Sequence, residues 1–116
     1  MNDNISKITV LGQEYKLLRG DEKQYPVLKD ANGYVDLYAK KIIIDNTFTS
    51  PESNFKSECP DLALNHVYRH EIIHAFFAES GTNYNLSNDE EELIVDWIAL
   101  QFPKMKKIFE ELGVEK

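Results

Sequence analysis

Apolar residues in the first half of the chain come in short runs separated by turn residues. Ile8-Thr9-Val10 favours a strand, and Gly12 breaks it. Tyr15 to Arg19 continues extended until Gly20-Asp21. Val27-Leu28 leads into Asp30-Ala31-Asn32-Gly33, read as a turn because Asn-Gly readily supplies positive φ angles. Tyr34 to Leu37 follows, and then Ile42-Ile43-Ile44, a β-branched run suited to a strand. The pattern predicts an antiparallel sheet of three or four short strands. Residues 46 to 60 are rich in Ser, Thr and Pro and read as a loop.

The period then changes. Pro60-Asp61 opens a helix, with proline in the first turn and an acid beside the positive end of the macrodipole. The helix runs to Glu79-Ser80, with Gly81 as C-cap. Leu62, Val67, Ile73 and Phe77 gather on one side and Ile72 and Phe76 on another, so this helix is expected to be central and buried. Ser87-Asn88-Asp89-Glu90 has the form of a capping box and starts a second helix carrying Leu93, Ile94, Trp97, Ile98 and Leu100, with Trp97 expected in the core. Pro103 is expected to interrupt it and to open a short C-terminal helix through Leu112, closed by Gly113. The fold class is α+β, a small sheet packed on two helices and a short third, in one domain over residues 1–116.

Composition narrows the partners. Thirteen basic against twenty acidic residues give a net charge of −7, which argues against a nucleic-acid backbone or an anionic membrane as partner. No apolar run approaches a membrane span or a secretory h-region, so a cytoplasmic protein is expected. Cys59 is the single cysteine; an intrachain disulfide is excluded, and an inert, packed thiol is expected.

The chemistry lies in the first helix. His70-Glu71-Ile72-Ile73-His74 is an H-E-x-x-H segment. Residues i and i+4 share a helix face, so both imidazoles can reach one zinc ion, while Glu71 is placed to act on a water in the open position as general base. Zinc needs a third protein ligand, and the carboxylates of the next helix are the natural source. Glu92 stands about 40° from Asp96 round that helix, whereas Glu90 and Glu91 point more than about 100° away. Glu92 is therefore assigned as ligand, with Glu91 and Asp96 as the alternatives. Asp96 is expected to hydrogen-bond the outer nitrogen of a ligand histidine. His66 and Tyr84 are candidates for stabilising an oxyanion, and Ile42 to Ile44 for holding an extended peptide by backbone pairing.

His70-Glu71-x-x-His74 followed by Glu92-x-x-x-Asp96 resembles the gluzincin metallopeptidases. The element order, with Arg69 to Gly81 and then Glu92 to Pro103, is similar to the minimal gluzincins of phage and Gram-positive bacteria and to the peptidase domain of the ImmA/IrrE group. The interval from His74 to Glu92 is a little shorter than in the large thermolysin-like members. The resemblance implies one Zn2+ per chain on His70, His74 and Glu92, Glu71 as general base, and hydrolysis of a peptide or protein substrate by a metal-bound water. The alternative is a catalytically inactive zinc-stabilised module that binds another protein; a fourth protein group closing the coordination sphere would favour it.

Overall fold

The structure is a computed structural model describing residues 5–47, 50–51 and 57–116. Part of the loop expected over residues 46 to 60 therefore lies outside the described residues. A four-stranded sheet packs on two helices, an α+β fold.

Strands β1 (Lys7–Val10) and β2 (Gln13–Gly20) form a tight hairpin, with Val10 opposite Gln13. Leu11 and Gly12 between them both have positive φ, 48° and 84°, the turn whose twist matches that of paired strands. Strands β3 (Gly33–Asp36) and β4 (Lys41–Asp45) pair antiparallel across a turn in which Asp36 accepts a hydrogen bond from the Ala39 amide at 2.9 Å.

The sheet is mixed rather than antiparallel. Its order is β1-β2-β4-β3, and β4 runs parallel to β2. After β2 the chain passes through a 3-10 turn, Pro26–Lys29, and reaches the far edge, so β4 returns into the gap beside β2. Ile42, Ile43 and Ile44 are all buried, the continuous apolar run of an interior strand covered on both faces. This overturns the role expected for Ile42 to Ile44 in holding a peptide: both edges of β4 are already paired, to β2 and to β3. Among the described residues the edge strands are β1 and β3, and β3 is the one packed more closely on α1.

Helix α1 (Pro60–Ser80) has the expected limits, closed by Gly81 at φ 78°. It packs against β1, β3 and β4 on one side and a second helix on the other. Val10, Tyr15, Leu17, Ile42, Ile44, Tyr68 and Ala75 form the core between sheet and helix. The helix is central but not buried all round, since Leu62 and Phe76 remain exposed. Cys59, just before it, is exposed rather than packed.

Helix α2 (Asn88–Leu112) begins with the expected capping box: Ser87 Oγ accepts from the Glu90 amide at 3.1 Å, and Glu90 Oε1 accepts from the Ser87 amide at 3.0 Å. It does not stop at Pro103, and the expected third helix is the continuation of α2. A proline inside a helix removes the N–H that would bond the carbonyl four residues back. Here that carbonyl belongs to Ala99, and it accepts instead from Arg69 Nε of α1 at 2.8 Å. The orphaned acceptor is satisfied from outside, so the helix continues.

Trp97, expected in the core, lies on the surface of α2. Leu93, Trp97 and Leu100 are exposed, Trp97 by 57%, and only Val95 and Ala99 are buried. The acidic side of α2 is the side turned toward α1, so the large apolar residues point out. Among the described residues, no helix is long and apolar enough to cross a membrane.

Candidate metal centre

Helix α1 presents three histidines one turn apart, His66, His70 and His74, and α2 runs antiparallel beside them. His66 and His70 therefore face Asp96, while His74 faces Glu91 and Glu92 at the start of α2. His70 Nε2 and His74 Nε2 lie 3.1 Å apart. Glu92 reaches both, with Oε1 at 2.7 Å from His74 Nε2 and Oε2 at 3.3 Å from His70 Nε2.

The outer nitrogens decide what these three atoms are. His74 Nδ1 donates to Glu91 Oε2 at 2.6 Å, and His70 Nδ1 donates to Asp96 Oδ1 at 3.1 Å. A carboxylate only accepts, so each Nδ1 carries a proton, and each neutral ring would turn the lone pair of Nε2 to a cation held between them. Two lone pairs and a carboxylate then converge on one point. A single proton can satisfy one of these contacts; a metal ion satisfies all three. Donors held about 2.0–2.1 Å from a zinc ion at tetrahedral angles stand about 3.3 Å from one another, close to the spacings found here. The donor set, two imidazoles and a carboxylate with carboxylates behind them, fits a divalent cation of borderline softness.

Glu71 lies beside this point, with a carboxylate oxygen within 4.8 Å of ligand atoms of His70 and His74. It is 7% exposed, and burial, partly offset by His74 and reinforced by Glu92, pushes its pKa up to about 7. Its other neighbour is Gly33. A Cβ at Gly33 would stand 2.9 Å from Glu71 Cγ and 2.9 Å from the Ile43 carbonyl oxygen. Neither Asn32 nor Gly33 has positive φ. Glycine is required there by the close approach of β3 to Glu71 rather than by the turn expected from Asn-Gly.

Around the centre opens a cleft of about 650 Å³ with α1 as its floor. Gly33, Tyr34 and Val35 of the β3 edge line one wall, and Glu91, Glu92 and Asp96 line the other.

His70, Glu71, His74 and Glu92 thus meet at one end-point of the fold, with Asp96 behind His70. Two expectations are corrected. Glu91, expected to point away, grips His74. Angles measured from Asp96 do not apply at the first turn of α2, where Glu91 and Glu92 flank the His74 ring on two sides. Tyr84 stands outside the cleft, 72% exposed, with its hydroxyl engaged by Tyr38. His66 lines the cleft, but its Nε2 is turned to Asp96 at 3.0 Å. From sequence alone Glu91 is named only as an alternative ligand and Gly33 only as a turn residue, and Arg69 is given no role. Of these only Glu91 left a signal, as an acid beside a ligand on a helix antiparallel to the histidines.

Compared with known protein families, with curated proteins and with solved structures, the chain matches none. The cluster of His, Glu and Asp groups positioned to hold a metal ion is what the fold itself provides.

Proposed function

We propose that the protein is a zinc-dependent peptide hydrolase of the gluzincin kind. The observation that carries this reading is the convergence of His70 Nε2, His74 Nε2 and Glu92 on one point, with buried Glu71 beside it at the floor of a cleft. Zinc, when bound, polarises a substrate carbonyl and acidifies water at its open position. The protein's own groups do the rest. Glu71, with a pKa near 7, is poised to take the proton of the attacking water and deliver it to the leaving amine. Glu91 and Asp96 hold the two imidazoles in the tautomer that presents Nε2. The free edge of β3, one residue of which touches Glu71, offers backbone groups to an extended peptide.

The alternative of an inactive zinc-stabilised module needs a fourth protein ligand. Asp96 is engaged with His66 and His70, and His66 with Asp96, which leaves Glu71 as the remaining neighbour, the residue read here as base rather than ligand. A metal held by His70, His74 and Glu92 would have Glu71 and the cleft beside it, where a hydrolytic site would keep a position for water.

Metal analysis of protein purified without chelator should find about one zinc per chain. His70→Ala and His74→Ala should lose it, and Glu71→Gln should keep it while failing to cleave a mixed peptide library that the wild-type chain cleaves. Zinc-free wild-type protein, or a Glu71→Gln variant as active as wild type, would sink the proposal.

A further inference from the structure

His66 stands outside the convergent set, yet it is tied to it. Asp96 Oδ1 accepts two hydrogen bonds at once, from His66 Nε2 at 3.0 Å and from His70 Nδ1 at 3.1 Å. The two rings come from successive turns of one helix and meet on a single oxygen of the next. Asp96 itself is poorly held: its side chain is 53% exposed, and it is bordered on α2 by the exposed Trp97 and Leu100. A half-exposed aspartate with one partner has several rotamers and water open to it. A second donor on the same oxygen selects the rotamer that faces His70.

We propose that His66 is a positioning residue for the metal centre: by holding Asp96 against His70 Nδ1, it fixes the tautomer in which His70 Nε2 is free to bind the metal. The role differs from the oxyanion contact that its place in the helix first suggested, because its Nε2 is spent on Asp96. It also explains why a third histidine continues the turn-by-turn spacing of His70 and His74 without joining their convergence point. The inference rests on the metal-binding reading for its consequence, but its structural half can be read in metal-free protein.

Two measurements test it. Nitrogen-15 NMR of the metal-free chain reports which ring nitrogen of His70 carries the proton. Wild type should show Nδ1–H, and His66→Ala should show a mixture of tautomers. His66→Gln, whose amide nitrogen falls near the position of imidazole Nε2, should restore the wild-type pattern. Zinc affinity, measured by competition with a chromophoric chelator, supplies the second readout. Loss of a group behind a metal ligand typically weakens binding by roughly 10–100-fold, which is expected for Asp96→Ala, with a smaller loss of roughly 3–10-fold for His66→Ala. In an Asp96→Ala background the His66→Ala change should have almost no further effect.

An unchanged His70 tautomer in His66→Ala overturns the proposal, as does a loss of affinity equally large with and without Asp96, which would mark a merely structural role. A wild-type chain that binds no zinc would remove the metal reading, while the His70 tautomer would still decide whether His66 positions it.

Discussion

Glu71 shows how much one residue's surroundings matter. A carboxylate enclosed by β3 and α1 resists ionisation, and its pKa moves from 4.5 to about 7. Between those values the folded metal-free chain binds a proton that the unfolded chain has released. The associated stability is complete below about pH 4.5 and is lost as pH rises through 7, on the order of 3 kcal/mol in all. Metal-free Glu71→Gln should therefore melt at a higher temperature than wild type at pH 8, with the gap closing toward pH 5. Equal melting temperatures at pH 8 would show that the enclosure does not penalise the charge. Gly33 faces the same carboxylate from the strand. Gly33→Ala places a Cβ where Glu71 Cγ and the Ile43 carbonyl already stand, so one of them must move. Zinc content should be unchanged, stability should fall by about 1–3 kcal/mol, and hydrolysis should fall roughly 100-fold, the cost of displacing a catalytic group by about an ångström. Full activity in this variant would mean that Glu71 has room to spare.

At the scale of elements, the junction of α1 and α2 is unusual in what it hides. Val95 and Ala99 are the buried residues of α2, with Ile98 and Met105 half-buried, and Glu91, Glu92 and Asp96 add polar contacts to the histidines of α1. Arg69 is part of that contact, through the Ala99 carbonyl that Pro103 leaves without its helical partner. Arg69→Met should cost about 1–3 kcal/mol, the penalty of an acceptor left unsatisfied at a packed junction. In a Pro103→Ala background the helix supplies its own N–H to Ala99, and the same substitution should cost clearly less. Denaturant unfolding of the four proteins measures the coupling; purely additive effects would show that the two residues are not linked through that carbonyl. The same junction explains why the helix reads as broken in sequence. Pro103 is a stop signal unless another element provides for the carbonyl behind it, and that provision comes from thirty positions upstream.

For the whole molecule, the proposed metal centre implies that metal binding and folding are coupled. Without a cation, one proton can bridge Glu92 and one ring, and the other inward Nε2 is left without a partner at the seam of α1 and α2. Chelation should lower the melting temperature and speed amide exchange in α2 more than in the sheet. Zinc at about 100 times its dissociation constant should return about 2.7 kcal/mol. A melting curve unmoved by chelator and by added zinc would show that α2 docks without the metal. Because the carboxylates take the inner side of α2, Leu93, Trp97 and Leu100 are left on the outer side. A sequence reading that sends large apolar residues inward fails here, since the face of α2 toward α1 carries the small Val95 and Ala99 together with the carboxylates that meet the histidines.

Much of the protein was determined locally and so was legible in the chain. Each strand, the limits of α1, the capping box of α2 and the placing of His70, Glu71 and His74 within one turn or so of α1 follow from period, caps and spacing, which involve neighbours within a turn or two. What the tertiary structure alone decided depended on residues far apart. These are the insertion of β4 between β2 and β3, the continuation of α2 through Pro103, the grip of Glu91 on His74, the approach of Gly33 to Glu71, and the sharing of Asp96 by two histidines. The H-E-x-x-H segment could say that α1 has the residues to hold a metal. Only the antiparallel crossing of α2 could say which carboxylates meet each imidazole, because that follows from where two helices touch and not from the order of residues in either one.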